Sequence, residues 1–524
     1  MEHLLLFAAA PNTAAFRLSA DLNIWLCTGV AVYIGIMLLI GFLAGRKISG
    51  IEDYLVAGRR VPLWMATATL LATWFGVGSS MGVASTVYTS GLKGVLADPF
   101  GASLCLLLAG FFVVGQLRKR KCLTVTDIIS RQYGKAAGVY ATCWMMPVYI
   151  GWLGSLLLGI GTIINMLTGG DILTGTLIGT AVILLYTYVG GMWAVILTDV
   201  VQVILIVVGL LVMLPGVLGE VGGLGNLYNS LGSTDLTLGI SAVSQGTPVW
   251  GDWIYYIGSW MMMGLGCMVG QDLIQRSLAG KDEKCASRSA VLSSFLYFSI
   301  ALIPIIIGFS ARIVLPRYGI TAESVGGNLE NQILPQMAVI VLSKLHPVFL
   351  VLFFSALISA IMSSADSCLL AGASLFCNNI LKELFPDISE RKLLFITRLS
   401  TIIFVVLSLF FALSVRNIYL LMKNSWVTQL VVVFLPVMAA LYLPQSSPRA
   451  AWVGMVSATV VWLGYCITAF FRSEGSFVVI MNNFDRPLTC GAVYGFAAGI
   501  GAFFLCYLCE EILKKNMVKK GVSR

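Results

Sequence analysis

Charged and histidine side chains are scarce in this chain of 524 residues. Asp, Glu, Lys and Arg make up only 11% of it, whereas a soluble protein has about 25% charged residues. Only two histidines are present, and no HExxH, GxSxG or Walker-type motif occurs. These absences exclude an ordinary soluble domain and leave no visible machinery for an intramembrane hydrolase or an ATP-driven pump. We therefore expect no enzymatic activity and no organic cofactor.

Paired cysteines are lacking as well. The 12 cysteines are scattered, mostly within apolar stretches, where packing as a small apolar side chain is their ordinary role. Cys506 and Cys509 have CxxC spacing, but no second pair and no histidine accompanies them, so the spacing does not indicate zinc.

Long apolar runs are what the chain has in abundance. It is 58% hydrophobic, its mean hydropathy is +0.92, and runs of about 20 residues, long enough to cross a bilayer as a helix, recur throughout. The sequence therefore predicts an all-α integral membrane protein with 13 transmembrane helices and no separate soluble domain. The predicted spans are 23–45, 64–89, 95–117, 137–166, 173–190, 193–217, 251–274, 288–313, 348–380, 393–415, 417–443, 450–471 and 489–512.

The basic residues predict the orientation. With the N-terminus outside, 24 of the 33 lysines and arginines, Arg276 among them, fall in inside loops, as the positive-inside rule requires. The net charge of +9 then reflects topology and not nucleic-acid binding. We expect a multi-pass protein of the plasma or inner membrane with a cytoplasmic C-terminus. Residues 1–20 read as an external tail or short amphipathic helix, and residues 219–245 as a glycine-rich loop or small helix outside the membrane.

Two spans are interrupted by glycines. Span two carries Gly76, Gly78 and Gly82, and span seven carries glycines at 264, 266 and 270. They lie five spans apart, so they have opposite orientation, as an inverted five-plus-five repeat requires; glycines that only let helices pack closely are the alternative. The predicted parts are an N-terminal tail and peripheral helix (1–46), a first repeat (47–217), a second repeat (218–443), and two C-terminal helices with a cytoplasmic tail (444–524).

Span nine contains a run of hydroxyl side chains. Ala360, Ser363 and Ser364 are spaced i, i+3, i+4 and so share one helix face. Hydroxyl and carbonyl oxygens suit sodium, and if span two unwinds near Ala72 and Phe75, its freed carbonyls complete a shell from the opposite side. The alternative is that the serines bond back to their own i−4 carbonyls.

Carboxylates within spans are candidates for function. Asp199 in span six and Asp366 in span nine are predicted to bind a second cation, to carry a proton, or to pair with a polar neighbour. Asp98 and Asp252 begin spans at the predicted outer mouth, where a carboxylate is easily hydrated, so we expect them to be less important.

Two tryptophans fall inside spans, Trp74 within the glycine-broken segment and Trp152 in span four. Their indole faces would suit an ammonium group through cation–π contacts, with structural packing as the alternative. Gly78, Ser79 and Gly270 of the interrupted segments complete the predicted substrate site.

Several motifs, taken in order, resemble the sodium:solute symporter family, whose members have the inverted-repeat fold of the bacterial leucine transporter. The similarity is greatest to the choline-transporter branch. It implies sodium bound by the backbone oxygens of Ala72, Phe75 and Ala360 and by the hydroxyls of Ser363 and Ser364. It also implies a coupling role for Asp199, and an aromatic cage that includes Trp74 and Trp152. The motifs are 52–59, 72–82, 124–127, 131–134, 188–202 and 360–367.

The resulting prediction is a sodium-coupled symporter of a small polar or cationic organic solute, with a choline-like amine favoured. An amino acid such as proline and a pantothenate-type acid remain alternatives, and a channel or a sensor is the alternative of a different class. The expected partners are the solute, sodium and membrane lipid; a homodimer is left open.

Overall fold

The computed structural model describes residues 20–45, 51–168, 170–240, 247–321, 329–414, 418, 422, 426–473 and 484–519. Within these ranges the regular structure is helical, apart from one isolated bridge between Val61 and Gly280. The predicted N-terminal tail and part of span 417–443 lie outside the described residues.

Eighteen helices are numbered here in chain order. Short helical turns occur between them, including Ile51–Val56 and Lys382–Leu384. The helices are α1 (Ala20–Gly45), α2 (Leu63–Trp74), α3 (Val83–Ser90), α4 (Ala102–Phe112), α5 (Val114–Lys119), α6 (Thr126–Tyr133), α7 (Lys135–Thr168), α8 (Ile172–Val221), α9 (Leu224–Ser230), α10 (Trp250–Gly264), α11 (Gln271–Ala279), α12 (Glu283–Arg317), α13 (Leu329–Leu342), α14 (Pro347–Leu375), α15 (Glu390–Ser414), α16 (Leu435–Tyr442), α17 (Pro448–Arg472) and α18 (Asp485–Lys519).

The helices have the length and apolarity of a polytopic membrane protein. Among the described residues, nine helical stretches are long and apolar enough to cross a bilayer, and four shorter apolar helices accompany them. The all-α prediction is confirmed, whereas the count of 13 spans stays a prediction. In α8, Gly191 leaves the helical conformation (φ 54°, ψ −169°) and so separates predicted spans five and six.

Both glycine-rich spans are interrupted where the glycines predicted a break. Helix α2 ends at Trp74, Phe75 is non-helical (φ −85°, ψ 67°), and a π-helical turn over Gly78–Gly82 leads into α3. Helix α10 ends at Gly264, a 3₁₀ turn spans Gly266–Val269, and α11 begins after an extended Gly270. A Cβ added at Gly76 would clash with the Ser364 hydroxyl, so glycine there lets α14 approach the first break.

The remaining helices surround these breaks. Helix α12 packs against α2, α3 and α4, while α14 packs against α7, α8 and α2. Helix α9 confirms the small helix expected within 219–245. The sequence reading missed α13, which is apolar, only 14 residues long and buried along nearly all of its length, because we searched for runs long enough to span the membrane.

Candidate functional site

Helix α14 contacts α2 at the first break through the predicted sodium-site serines. The hydroxyl of Ser364 donates to the carbonyl oxygen of Thr73 over 2.7 Å, and the hydroxyl of Ser363 donates to a carboxylate oxygen of Asp199 over 2.5 Å. Both serines and Ala360 are buried. The structure thus brings the oxygen-rich face of α14 to the part of α2 that contains Ala72 and ends beside Phe75.

The end of α2 supplies carbonyl groups to this contact. The last four carbonyls of a helix have no partner within it. The Leu71 carbonyl accepts from the Phe75 N–H over 2.9 Å, and the Trp74 carbonyl accepts from the Ser79 hydroxyl over 3.0 Å. On the α14 side, Ser367 does bond back to the carbonyl of Ser363, as the packing alternative expected. Ser363 and Ser364 instead bond to other helices.

A buried ion cluster lies beside this contact. A guanidinium nitrogen of Arg276 lies 3.6 Å from a carboxylate oxygen of Asp199 and 3.9 Å from one of Asp366, and all three side chains are fully buried. Arg276 also donates to Ser367, and Thr69 donates to Asp199. Assigning Arg276 to an inside loop was therefore wrong. It lies on α11, which begins directly after the second break. A basic residue so close to a predicted helix break could have indicated a buried ion pair, and the sequence analysis did not use it.

A cavity adjoins both breaks and is lined by residues of each. Four predicted substrate residues, Trp74, Trp152, Gly78 and Ser79, line it. Gly270 does not line the cavity, but Gln429 does. A Cβ added at Gly270 would lie 3.7 Å from the side-chain amide nitrogen of Gln429. The full lining is Trp74, Gly76, Gly78, Ser79, Asp98, Trp152, Met263, Cys267, Asp272, Met422, Trp426 and Gln429.

Asp98 lies in the wall of this cavity. It is 1% exposed and accepts hydrogen bonds from the hydroxyls of Ser79 (2.7 Å) and Tyr297 (2.5 Å). The expectation of a hydrated carboxylate at the outer mouth was therefore wrong. Asp98 lies in the turn Leu96–Gly101 directly before α4, where its own backbone is non-helical (φ −135°, ψ 119°). Asp252 is also buried, at 7% exposed, and pairs with Arg486 over 2.6 Å.

Asp272 is the second carboxylate of the cavity, and the sequence reading did not select it. Its oxygens accept from the indole N–H of Trp74 over 3.0 Å and from the hydroxyl of Tyr149 over 3.2 Å. Among the described residues, the cavity lining holds two carboxylates and three tryptophans but no lysine or arginine. Negative charge together with indole faces suits an organic cation.

The chain was compared with known families and proteins. Residues 54–458 match the family model described as the sodium:solute symporter family. High-affinity choline transporter 1 of Drosophila melanogaster is 28% identical over 76% of this chain and 64% of its own length, so the match spans less than two thirds of that relative. The human transporter of the same name is 28% identical over 82% of this chain and 74% of its own. The osmoregulated proline transporter of Bacillus subtilis is 24% identical over 94% of this chain and 100% of its own length.

Solved structures show the same fold. A sodium-coupled sialic acid symporter in a substrate-bound outward-open state superposes with a TM-score of 0.73, at 20% identity, over 91% of this chain and 97% of its own. A nucleobase-cation-symport-1 transporter in a closed conformation has a TM-score of 0.50 at 15% identity, over 86% of this chain and 94% of its own.

Proposed function

The chain belongs to the sodium:solute symporter family, and on that premise we propose that it carries a choline-like amine across the membrane together with sodium, by alternating access. The observation that carries the proposal is the cavity at the two helix breaks. Its walls combine the indoles of Trp74 and Trp152 with the carboxylates of Asp98 and Asp272, a lining that attracts an ammonium group.

Sodium in this proposal binds where α14 meets α2. Its ligands are the carbonyl oxygens of Ala72, Phe75 and Ala360 and the hydroxyls of Ser363 and Ser364. The 2.7 Å bond from Ser364 to the Thr73 carbonyl supports it, because that bond puts a neutral oxygen of α14 within reach of the carbonyls at the end of α2. Neutral and charged oxygens are the ligands that hard cations prefer.

Asp199 and Asp366 are proposed to couple a second cation to this site. Asp199 accepts from Ser363, a proposed sodium ligand, so any change of charge at Asp199 reaches the sodium site through one hydrogen bond. Sodium and the amine then raise each other's affinity by the same factor, since binding free energies are linked reciprocally.

The architecture we propose has 13 membrane spans, an external N-terminus and a cytoplasmic C-terminus in the plasma or inner membrane. Spans two to six (within 47–217) and seven to eleven (within 218–443) form an inverted repeat, and the similar interruptions at Phe75 and at Leu265–Gly270 support it. A homodimer is compatible with this arrangement.

The alternative solutes fit the cavity less well. A pantothenate-type acid would bring another negative charge beside Asp98 and Asp272, and a zwitterionic amino acid would need a partner for its carboxylate. No lysine or arginine among the described lining residues supplies one. A channel or sensor is not favoured by any observed feature.

Uptake by purified protein in liposomes tests the proposal. We expect labelled amine to accumulate when an inward sodium gradient is imposed, and the double substitution Ser363→Ala, Ser364→Ala to weaken the apparent sodium affinity about tenfold, which corresponds to about 1.4 kcal/mol. Ser299→Ala is the matched control, because Ser299 is exposed on α12 and bonds only to the carbonyl of Phe295. Unchanged sodium dependence in the double variant would exclude the sodium-site assignment.

A further inference from the structure

The cavity lining includes three side chains that accept hydrogen bonds, and among the described residues it carries no donor from a lysine or arginine. Asp98 and Asp272 each present a carboxylate, and the side-chain oxygen of Gln429 is a third acceptor. Resting on the proposed function, we propose that the substrate is a diamine, a cation with N–H donors at two separated ends, which Asp98 and Asp272 bind at one end each. This deepens the amine assignment, since choline carries one charge and no N–H group.

Buried carboxylates outnumber buried basic residues. Among the described residues, Asp98, Asp199, Asp252, Asp272 and Asp366 are buried, Asp252 pairs with the partly exposed Arg486, and Arg276 is the one buried basic residue. Its guanidinium pairs with Asp199 and Asp366. No ion pair reaches Asp98 or Asp272 in the described part of the chain, and buried carboxylates need a compensating charge.

Each of these two carboxylates also has acceptor capacity left. A carboxylate has about four acceptor positions, and neutral donors fill two at each. At Asp98 the donors are Ser79 and Tyr297. At Asp272 they are Trp74 and Tyr149. An ammonium with N–H groups can fill the remaining positions by charge-assisted hydrogen bonds, whereas a fully methylated nitrogen cannot.

Gln429 is an independent sign of a donor-bearing ligand. The residue is 1% exposed and its Oε1 has no hydrogen-bond partner among the described residues. A buried acceptor without a donor costs about 1–3 kcal/mol. Because Gln429 lines the cavity, a donor group of a bound ligand, such as an ammonium N–H, can satisfy it.

Trp74 separates the two carboxylates. The Ser79 hydroxyl bonds both Asp98 and the backbone carbonyl of Trp74, whereas Asp272 bonds the indole nitrogen at the other end of the same residue. The two carboxylates therefore lie near opposite ends of Trp74, Asp98 on the backbone side and Asp272 at the indole nitrogen. A short methylene chain between two ammonium groups matches this order.

Competition on the unmodified protein in liposomes tests the inference. The probes are 1,4-diaminobutane, butylamine, ethanolamine and choline, each tested for sodium-driven uptake. The first pair differs by one charge, and the second pair differs only in N-methylation. We expect the diamine to have an apparent affinity at least tenfold higher than butylamine, and ethanolamine to exceed choline.

Two results would overturn different parts of the account. Sodium-driven uptake with choline equal to or better than the diamine would overturn the inference and leave the proposed function intact. If none of the four amines is driven by sodium, the proposed function is wrong, and the inference with it.

Substitution then assigns the recognition to the two carboxylates. Asp98→Asn and Asp272→Asn should each lower the diamine affinity about tenfold while changing the butylamine affinity less. The control is Asp387→Asn, at an exposed position, which should change neither. Equal losses for both amines in both variants, in protein with unaltered thermal unfolding, would contradict recognition at two ends.

Discussion

Two pairs of buried carboxylates in the helix core differ in their partners. Asp199 and Asp366 share the guanidinium of Arg276, with oxygen–nitrogen distances of 3.6 and 3.9 Å. Asp98 and Asp272 have only neutral donors, from hydroxyl groups and one indole. The first pair has its cation within the chain, whereas the second lines a cavity that a cation can enter.

This difference separates stability from recognition. Removing one partner of a buried ion pair leaves an uncompensated charge and costs about 3–5 kcal/mol. Neutralising a buried carboxylate that has no cation within the chain removes the cost of desolvating its charge, so the variant should still fold. The same residue type thus has opposite consequences in the two pairs.

The largest effect is expected for Arg276→Met. It leaves Asp199 and Asp366 buried without their guanidinium, so we expect a loss of about 3–5 kcal/mol of stability. Thermal unfolding in detergent, with the yield of monodisperse protein, measures it. Asp98→Asn is the matched comparison and should unfold at the unmodified protein's temperature; equal stability of the two variants would abolish the distinction between the pairs.

Asp199→Asn should uncouple transport while leaving the protein inserted. The amide keeps the shape of the carboxyl group but loses the charge that Arg276 faces, and an NH2 group replaces one of the two oxygens that accept separately from Ser363 and Thr69. We expect sodium-driven uptake to fall at least tenfold, about 1.4 kcal/mol. Transport with unchanged sodium and pH dependence would show that Asp199 is only structural.

Trp74→Leu should raise the apparent KM for the amine about tenfold, again about 1.4 kcal/mol. The substitution removes an indole face from the cavity and the N–H that bonds Asp272 over 3.0 Å. Kinetics and protein yield are measured on the same variant. A lower yield with an intact KM would favour the packing role and end the aromatic-cage hypothesis.

The smallest effect on stability is expected at the ion pair of Arg312 and Asp235, which belongs to neither pair of buried carboxylates. Arg312 bonds Asp235 over 2.6 Å and the carbonyls of Val87 and Tyr88 at the end of α3. Partial burial opposes ionisation of Asp235, but the hydrogen bonds from Arg312 and from the Gly232 N–H, with the charges of Arg312 and Lys93, together outweigh burial and lower the pKa of the carboxyl.

Because the pKa of Asp235 is lowered in the folded protein, its ion pair contributes to the free energy of unfolding above the ordinary pKa of aspartate. That contribution is lost as the pH falls through the lowered pKa. Asp235→Asn should therefore cost less than about 1 kcal/mol near neutral pH and nothing in strong acid. Thermal unfolding of the variant across pH 3 to 7 measures it. A loss as large as that of Arg276→Met would contradict the comparison.

The sequence predicted those features that local chemistry determines. Apolar run length indicated the spans, glycines marked both helix breaks, and i, i+3, i+4 spacing placed Ser363 and Ser364 on one face. It could not predict which carboxylates have a cation, because Arg276 meets Asp199 and Asp366 only after three helices pack. The position of Asp98 was predicted wrongly for the same reason. A residue at the start of a span is exposed only if the turn before that span lies at the surface, and tertiary packing decides whether it does.

The most direct test measures the linkage between the two regions by binding to purified protein. The affinity for the amine is determined at high and at negligible sodium, and the affinity for sodium with and without the amine. The account predicts that each ligand strengthens the other by the same factor, of about five or more, and that Asp199→Asn brings this factor towards one. Amine binding that is independent of sodium in the unmodified protein would contradict the account.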